Sequence, residues 1–321
     1  MNTQPTAKFD LYQNVTDRIV EALETGTAPW LKPWDTPACN LDLPRNAVSN
    51  RLYSGINILL LWLASSTHGY RQSKWITAKK AMELGGHVRK GEKATVIVNY
   101  RPVEREATDE NGELLFDDDG NPLMEHFAYL NKHNVFNIEQ CENLPPAMYE
   151  PLKANIETDN PYEIFTEIRQ MIKGLGLKVE VKPSNKAFYQ ATTDKVVMPE
   201  VKQFHSEQDF YSTLMHEMTH ATGHQSRLNR EGISSGKAKF GNKIYAFEEL
   251  VAEIGGAFLC AQLGFNTVPQ NASYIASWIQ VLKNDKRAIF RATGYARNAC
   301  DYMLEALNVQ QQYESRFEEA A

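Results

Sequence analysis

The chain has 321 residues, of which 42% are hydrophobic and 10% aromatic, and carries a formal net charge of −6 at pH 7. Such a length allows two domains with a sizeable core, and the composition excludes a disordered or fibrous chain. The acidic balance argues against a uniformly basic nucleic-acid binder, and the longest apolar run, residues 56–64 with Asn57 inside it, is too short to span a membrane.

The first predicted element is a helix over residues 9–24, because Phe9, Tyr12, Val15, Ile19, Ala22 and Leu23 recur at helical spacing before Gly26. Pro29-Trp30-Leu31-Lys32-Pro33-Trp34 follows, where two prolines forbid a helix and set two indoles on an extended loop. Helices are expected over 55–65 and 77–84, then a basic turn, Arg89-Lys90-Gly91-Glu92-Lys93, and a strand over 94–100. Residues 104–121 are acidic with Asn111-Gly112 and Asp119-Gly120-Asn121 as turn signals, which predicts an exposed hairpin or flexible insertion. A strand pattern returns over 126–137. The polar stretch from Pro145-Pro146 to Pro161 marks a boundary, giving domains 1–145 and 162–321 around a linker at 146–161.

The second domain opens with a helix over 162–173, short strands over 177–181, 187–190 and 195–198, and then a histidine-bearing helix. One long helical stretch over 274–306 is expected to close the chain, with Trp278, Val281, Leu282, Ile289 and Phe290 facing the core. No internal repeat is evident. Cys39, Cys141, Cys260 and Cys300 are too scattered for a disulfide framework or a zinc ribbon. Reduced thiols, the absence of a signal-peptide pattern at Met1-Asn2-Thr3-Gln4-Pro5 and the short apolar runs together suggest a cytoplasmic protein with no membrane partner.

Residues 216–220 read His-Glu-Met-Thr-His. On a helix of 3.6 residues per turn, His216 and His220 share a face one turn apart and can grip a single first-row metal ion, with Glu217 beside them as general base. The helix is well signalled by Ser206 with Asp209 three residues on, by Phe210, Leu214, Met218 and Ala221, and by Gly223 as a stop. A third ligand is required. The spacing His-Glu-x-x-His-x-x-Gly-x-x-His is broken because Ser226 stands where the last histidine would, and His224 comes two residues early. A following helix over 245–263 instead offers Glu249, Ala252, Glu253, Gly256 and Cys260 on one close-packing face. The arrangement Glu249-x-x-Ala252-Glu253 resembles the Glu-x-x-x-Asp element of gluzincins, which implies Glu249 as ligand and Glu253 as partner of His216 or His220, though the order of the two acids can be reversed. The plain alternative makes Glu248, Glu249 and Glu253 a solvated stripe. Two imidazoles and a carboxylate suit Zn²⁺ first, with Mn²⁺ or Co²⁺ accepted by the same set. Tyr245 or His224 is a candidate to stabilise an oxyanion.

The first domain hides its charge in the average. Between Leu41 and Arg101 there are ten Lys or Arg against three acids, interleaved with Tyr53, Trp62, Tyr70, Trp75 and Tyr100. A positive groove with aromatic faces is how single-stranded nucleic acid is held, and Trp30, Trp34, Arg51, Tyr53, Lys74, Trp75, Arg89, Lys90 and Lys93 are the candidates here. Trp62, on an apolar helix, reads as core, and any other aromatic residue can be core as well.

Two sets of motifs carry a resemblance. The first is Tyr12, Ile19, Leu23, Gly26, Pro29-Trp30, Pro33-Trp34, Asn50-Arg51-Leu52-Tyr53-Ser54-Gly55-Ile56-Asn57, Trp75-Ile76-Thr77 and Gly91-Glu92-Lys93. The second is His216-Glu217-x-x-His220-x-x-Gly223-His224, Ser226-Arg227-Leu228-Asn229-Arg230 and Tyr245-Ala246-x-Glu248-Glu249-Leu250-Val251-Ala252-Glu253. With these the chain resembles the ArdC-type antirestriction proteins of conjugative plasmids, whose first domain is shared with plasmid primases of the TraC type. The resemblance implies an α+β protein of two domains. The first binds single-stranded DNA with weak sequence preference, and the second is a zincin-like, gluzincin-type metallopeptidase acting on an unknown protein substrate. It also implies protection of incoming plasmid DNA from host restriction. The alternatives are a non-catalytic DNA-binding shield with a structural metal site, and a general metallopeptidase whose first domain recruits proteins. Residues 104–121 match no motif of the family.

Overall fold

The computed structural model describes residues 10–30, 42–109, 112–117, 120–150, 161–239, 241–264 and 274–318. Trp34 and Cys39 lie outside them. The first helix, α1 (Leu11–Glu24), begins where the Asp10 side chain accepts a hydrogen bond from the Gln13 N–H, and buries Val15, Ile19, Ala22 and Leu23 as the spacing predicts, with Val20 in addition. After β1 (Arg45–Asn46), α2 (Ile56–His68) is apolar nearly all round, and Ile58 to Leu61 are fully enclosed. Then come β2 (Lys74–Ile76), α3 (Ala78–Glu83), β3 (His87–Val88), β4 (Thr95–Glu106), β5 (Met124–Asn137) and β6 (Cys141–Glu142). The main sheet of this half has the order β1-β2-β5-β4, with β1 and β2 parallel and the other pairs antiparallel.

Strand β4 runs six residues beyond the expected 94–100. Its ladder with β5 continues in register from Thr95↔Val135 to Glu106↔Met124, past the point where charged residues interrupt the apolar pattern of β4. Backbone pairing and the cross-strand pair of Arg105 with Glu125, 3.0 Å apart, sustain it there, and Pro102 is tolerated because β4 is an edge strand. Its tip also corrects the reading that the sequence has no repeat. Asp109 and Asp117 each accept a hydrogen bond from a backbone N–H four residues on, Glu113 and Asn121 respectively, around Gly112 and Gly120. The tip is therefore two turns of one eight-residue pattern, Asp-x-x-Gly-x-x-Leu-x.

The second half contains α4 (Pro161–Gly174), β7 (Lys178–Val181), β8 (Phe188–Gln190), β9 (Lys195–Met198), α5 (Glu207–Thr222), α6 (Glu231–Ser234), α7 (Lys243–Leu263), α8 (Ile275–Asn284) and α9 (Ala288–Glu318). Its sheet has the order β7-β9-β8, so β8 is an edge beside the histidine helix. The expected closing helix is two helices. Asp285 leaves helical geometry (φ −147°, ψ 102°), and its carboxylate accepts from the Arg287 N–H to start the next one.

One core serves both halves. Val15, Ile19, Trp30 and Trp62 belong to the same cluster as Phe258, Trp278, Leu282 and Phe290. Trp30 meets Trp278 edge to face at 5.8 Å, and Trp62 meets Phe258 at 5.6 Å. Of the proposed linker, residues 151–160 lie outside the described ones. Its start is held by Lys74, whose Nζ donates to the carbonyls of Met148 and Glu150 at 2.9 and 2.7 Å.

Candidate metal centre

Helix α5 starts at Ser206, whose hydroxyl accepts from the Asp209 N–H, and its last turns pack tightly on α7. Glycine makes that contact possible. A Cβ at Gly255 would stand 2.6 Å from Thr219 Cγ2, and one at Gly256 3.2 Å from the His216 backbone nitrogen. The carboxylates of α7 are thereby carried to the imidazoles of α5.

Glu249 lies between both rings. Its Oε2 is 3.6 Å from His216 Nε2 and its Oε1 3.5 Å from His220 Nε2, and one ligand atom from each of the three residues falls within 4.8 Å of the others. The opposite edge of each imidazole faces a different glutamate. His216 Nδ1 is 3.3 Å from Glu253 Oε2, and His220 Nδ1 is 3.3 Å from Glu248 Oε1. Glu248 is held in turn by Arg230, whose Nη2 donates to Oε1 at 2.7 Å and Nε to Oε2 at 3.1 Å. Arg230 also donates to the Thr219 carbonyl and the Thr222 hydroxyl. Every member is buried: Glu248, Glu249 and Glu253 are 3, 6 and 6% exposed, which rules out a solvated stripe.

Burial on its own drives an imidazole towards the neutral form. Here the surrounding carboxylates win: His216 is raised well above its ordinary value by Glu249 and Glu253, and His220 is raised to about 9 by Glu248 and Glu249. Glu249 is held far below the usual carboxylate range, burial opposing the two histidines and losing. The set has the donors of a divalent first-row metal site, two nitrogens and one oxygen with a side left for solvent. His216 Nδ1 and Glu253 Oε2 are buried without a formed hydrogen bond despite their proximity, as expected of an outer contact that tightens when the ring is fixed from its other edge.

The site opens on a cleft of about 940 Å³ lined by His216, Glu217, His220, Glu249, Tyr245, Tyr274 and, from edge strand β8, Phe188 and Tyr189. The hydroxyls of Tyr245 and Tyr274 are 3.2 Å apart, and burial, Tyr274 and Glu249 together raise the Tyr245 phenol above its ordinary value. His224 is elsewhere. It does not line the cleft, and its Nδ1 is 2.7 Å from the Ser226 hydroxyl, which removes it as an oxyanion candidate. Three participants were not foreseen. Glu248 and Arg230 meet only through the loop after α5, and Tyr274 arrives from the start of α8; a glutamate pair inside an apolar helix was the one available signal for Glu248.

The nucleic-acid candidates divide sharply. Trp30 and Trp75 are 1 and 0% exposed and Lys74 is spent on carbonyls, so none of the three is free to meet a base or phosphate. Trp75 lies on β2 inside the sheet, where packing a large ring outweighs displaying it. Tyr53 is half-buried, and Arg89 is exposed but paired with Glu92 at 2.6 Å. Arg51, Lys90 and Lys93 remain exposed, as do Arg71 and Lys79.

A cleft with this donor set on two packed helices beside a three-stranded sheet defines a zincin-like domain, here sharing a core with a smaller α+β half. Residues 166–295 match the zincin-like metallopeptidase family and residues 9–136 the N-terminal domain of anti-restriction factor ArdC, on either side of the proposed linker. The metal-free crystal structure of the antirestriction ArdC protein from plasmid R388 superposes with a TM-score of 0.74 at 38% identity, covering 94% of this chain and 98% of that one. Its Mn(II)-bound form gives 0.72 at 37%, covering 93% and 98%. An uncharacterised protein, y4eC, of Sinorhizobium fredii (strain NBRC 101917 / NGR234) is 34% identical over 93% of each chain. A DNA primase TraC of Escherichia coli is 35% identical over 94% of this chain, which spans only 20% of that primase. The chain belongs to the ArdC family of antirestriction proteins. No helix among the described residues is long and apolar enough to cross a membrane.

Proposed function

We propose that this antirestriction protein binds single-stranded DNA through its first half and hydrolyses peptide bonds in the cleft of its second, protecting incoming conjugative DNA from host restriction. The observation that carries the catalytic part is the convergence of His216, His220 and Glu249 on the wall that also bears Glu217. Those three would hold the cation, Zn²⁺ first and Mn²⁺ next, given the Mn(II)-bound relative. When bound, it supplies Lewis acidity, polarising a carbonyl and acidifying water. Glu217 accepts the proton of the attacking water and passes it to the leaving amine. Tyr245, kept protonated by burial and by its acidic neighbour, donates towards the oxygen that gains charge. Edge strand β8 presents unpaired backbone groups along the cleft, against which an extended peptide can pair.

The DNA-binding part is supported by Arg51, Arg71, Lys79, Lys90 and Lys93, which are exposed and form no salt bridge among the described residues. The test compares wild type with Glu217→Gln for peptide hydrolysis and for protection of transferred DNA. Loss of both supports the reading. Unchanged protection with hydrolysis abolished would instead favour the DNA-binding shield.

A further inference from the structure

We propose that the arm formed by the outer parts of β4 and β5 docks on the basic face of a second copy of this chain, covering the surface read above as binding single-stranded DNA. The competition with DNA rests on that reading; the docking does not.

The arm is where the molecule leaves its apolar side chains uncovered. Half of the large hydrophobic residues found exposed among the described ones lie between residues 100 and 129, and five crowd the tip: Leu114, Leu115, Phe116, Leu123 and Met124, each 41 to 55% exposed. So dense a patch on a monomer marks a contact surface. Charge narrows the partner. From Glu104 to Glu125 the sequence has nine acids and one base, Arg105, so DNA and anionic lipid are repelled and a basic protein surface with apolar breaks is required.

Residues 48–93 of this chain supply side chains for such a surface. The five exposed cations without salt bridges, from Arg51 to Lys93, are interspersed with Val48, Met82 and Leu84, 47, 63 and 36% exposed. Both partners therefore combine opposite charge with bare hydrophobic side chains. Arm-to-face docking is made twice in a two-fold pair, so it closes on itself and does not propagate into a fibre.

Light scattering after gel filtration of the full chain tests the proposal. At low salt, about 50 mM, the expected mass is twice the 36.5 kDa of the chain, falling to one chain at about 500 mM as the charges are screened. Excess oligo(dT) is expected to convert the pair to monomer bound to DNA. Leu115→Ser with Phe116→Ser alters only exposed side chains and is expected to leave a monomer at low salt, as is a variant with 108–122 replaced by an Asn-Gly turn. Lys90→Glu with Lys93→Glu is expected to do the same, and adding Glu106→Lys and Glu113→Lys to that chain should restore the pair. A wild type that stays monomeric at low salt, or a shortened variant that still pairs, overturns the docking. Pairing through the arm with no binding of oligo(dT) to any form leaves the docking standing and removes the DNA reading.

Discussion

The two halves of this molecule use polar side chains in opposite ways. In the second, two histidines, three glutamates and an arginine are buried together, and each charge is answered by another within 3.6 Å. In the first, Trp30, Trp62 and Trp75 are buried, while Arg51, Arg71, Lys79, Lys90 and Lys93 stand outside without salt bridges among the described residues. Burying charge without compensation is costly, so an interior constellation specifies its members narrowly. A solvated surface tolerates many arrangements, and its function is written in charge density more than in particular residues.

The contrast is broken most severely by removing Glu217, the proposed base. Glu217→Ala is expected to lower peptide hydrolysis by about 10²–10⁴-fold while one metal ion still binds; measuring turnover and metal content on the same sample checks both. Next is the outer support. Glu253→Gln is expected to weaken metal affinity by about 10–100-fold through His216, measured by chelator competition, and an unchanged affinity would make the 3.3 Å contact incidental. Gly255→Val should destabilise the protein by about 1–3 kcal/mol, because its side chain meets Thr219 where the helices touch; thermal unfolding gives the shift.

A gentler probe is pH. In the metal-free protein burial pulls His220 down, but Glu248 and Glu249 hold it at about 9, above its unfolded value of 6.5. Its stabilisation of the fold is therefore complete below pH 6.5 and disappears as pH rises through 9. A cation must displace that proton, so Zn²⁺ affinity is expected to rise with pH across the same window with proton release. Calorimetry in buffers of different ionisation enthalpy counts the protons, and a pH-independent affinity would contradict the assignment. The smallest effect belongs to the surface: Lys90→Ala with Lys93→Ala should reduce the salt dependence of oligo(dT) binding by about one unit of slope per lost phosphate contact, with no change in metal affinity.

Much of the site was legible because its signals are local. Ser206 with Asp209 announced α5, the histidine spacing required a helix, and the small residues of α7 foretold a close approach that Gly255 and Gly256 provide. The partner of His220 was hidden. Arg230 and Glu248 are brought together by the loop after α5 and by α6, where a Cβ at Gly232 would stand 2.6 Å from Glu248, a fit that only the folded chain reveals. The indoles misled for the same reason: Trp30 and Trp75 carry identical chemistry on a surface or in a core, and the rings and strands that cover them come from distant segments. The outer part of β4 was missed because Arg101, Glu104, Arg105 and Glu106 are exposed, and successive charged residues carry no apolar alternation on which strand prediction can rest.

Titration of the metal-free protein with Zn²⁺ bears most directly on the three converging donors. Wild type is expected to take up one ion per chain, Glu253→Ala one ion more weakly, and Glu249→Ala none in the same range. Full-affinity uptake by Glu249→Ala would contradict the account.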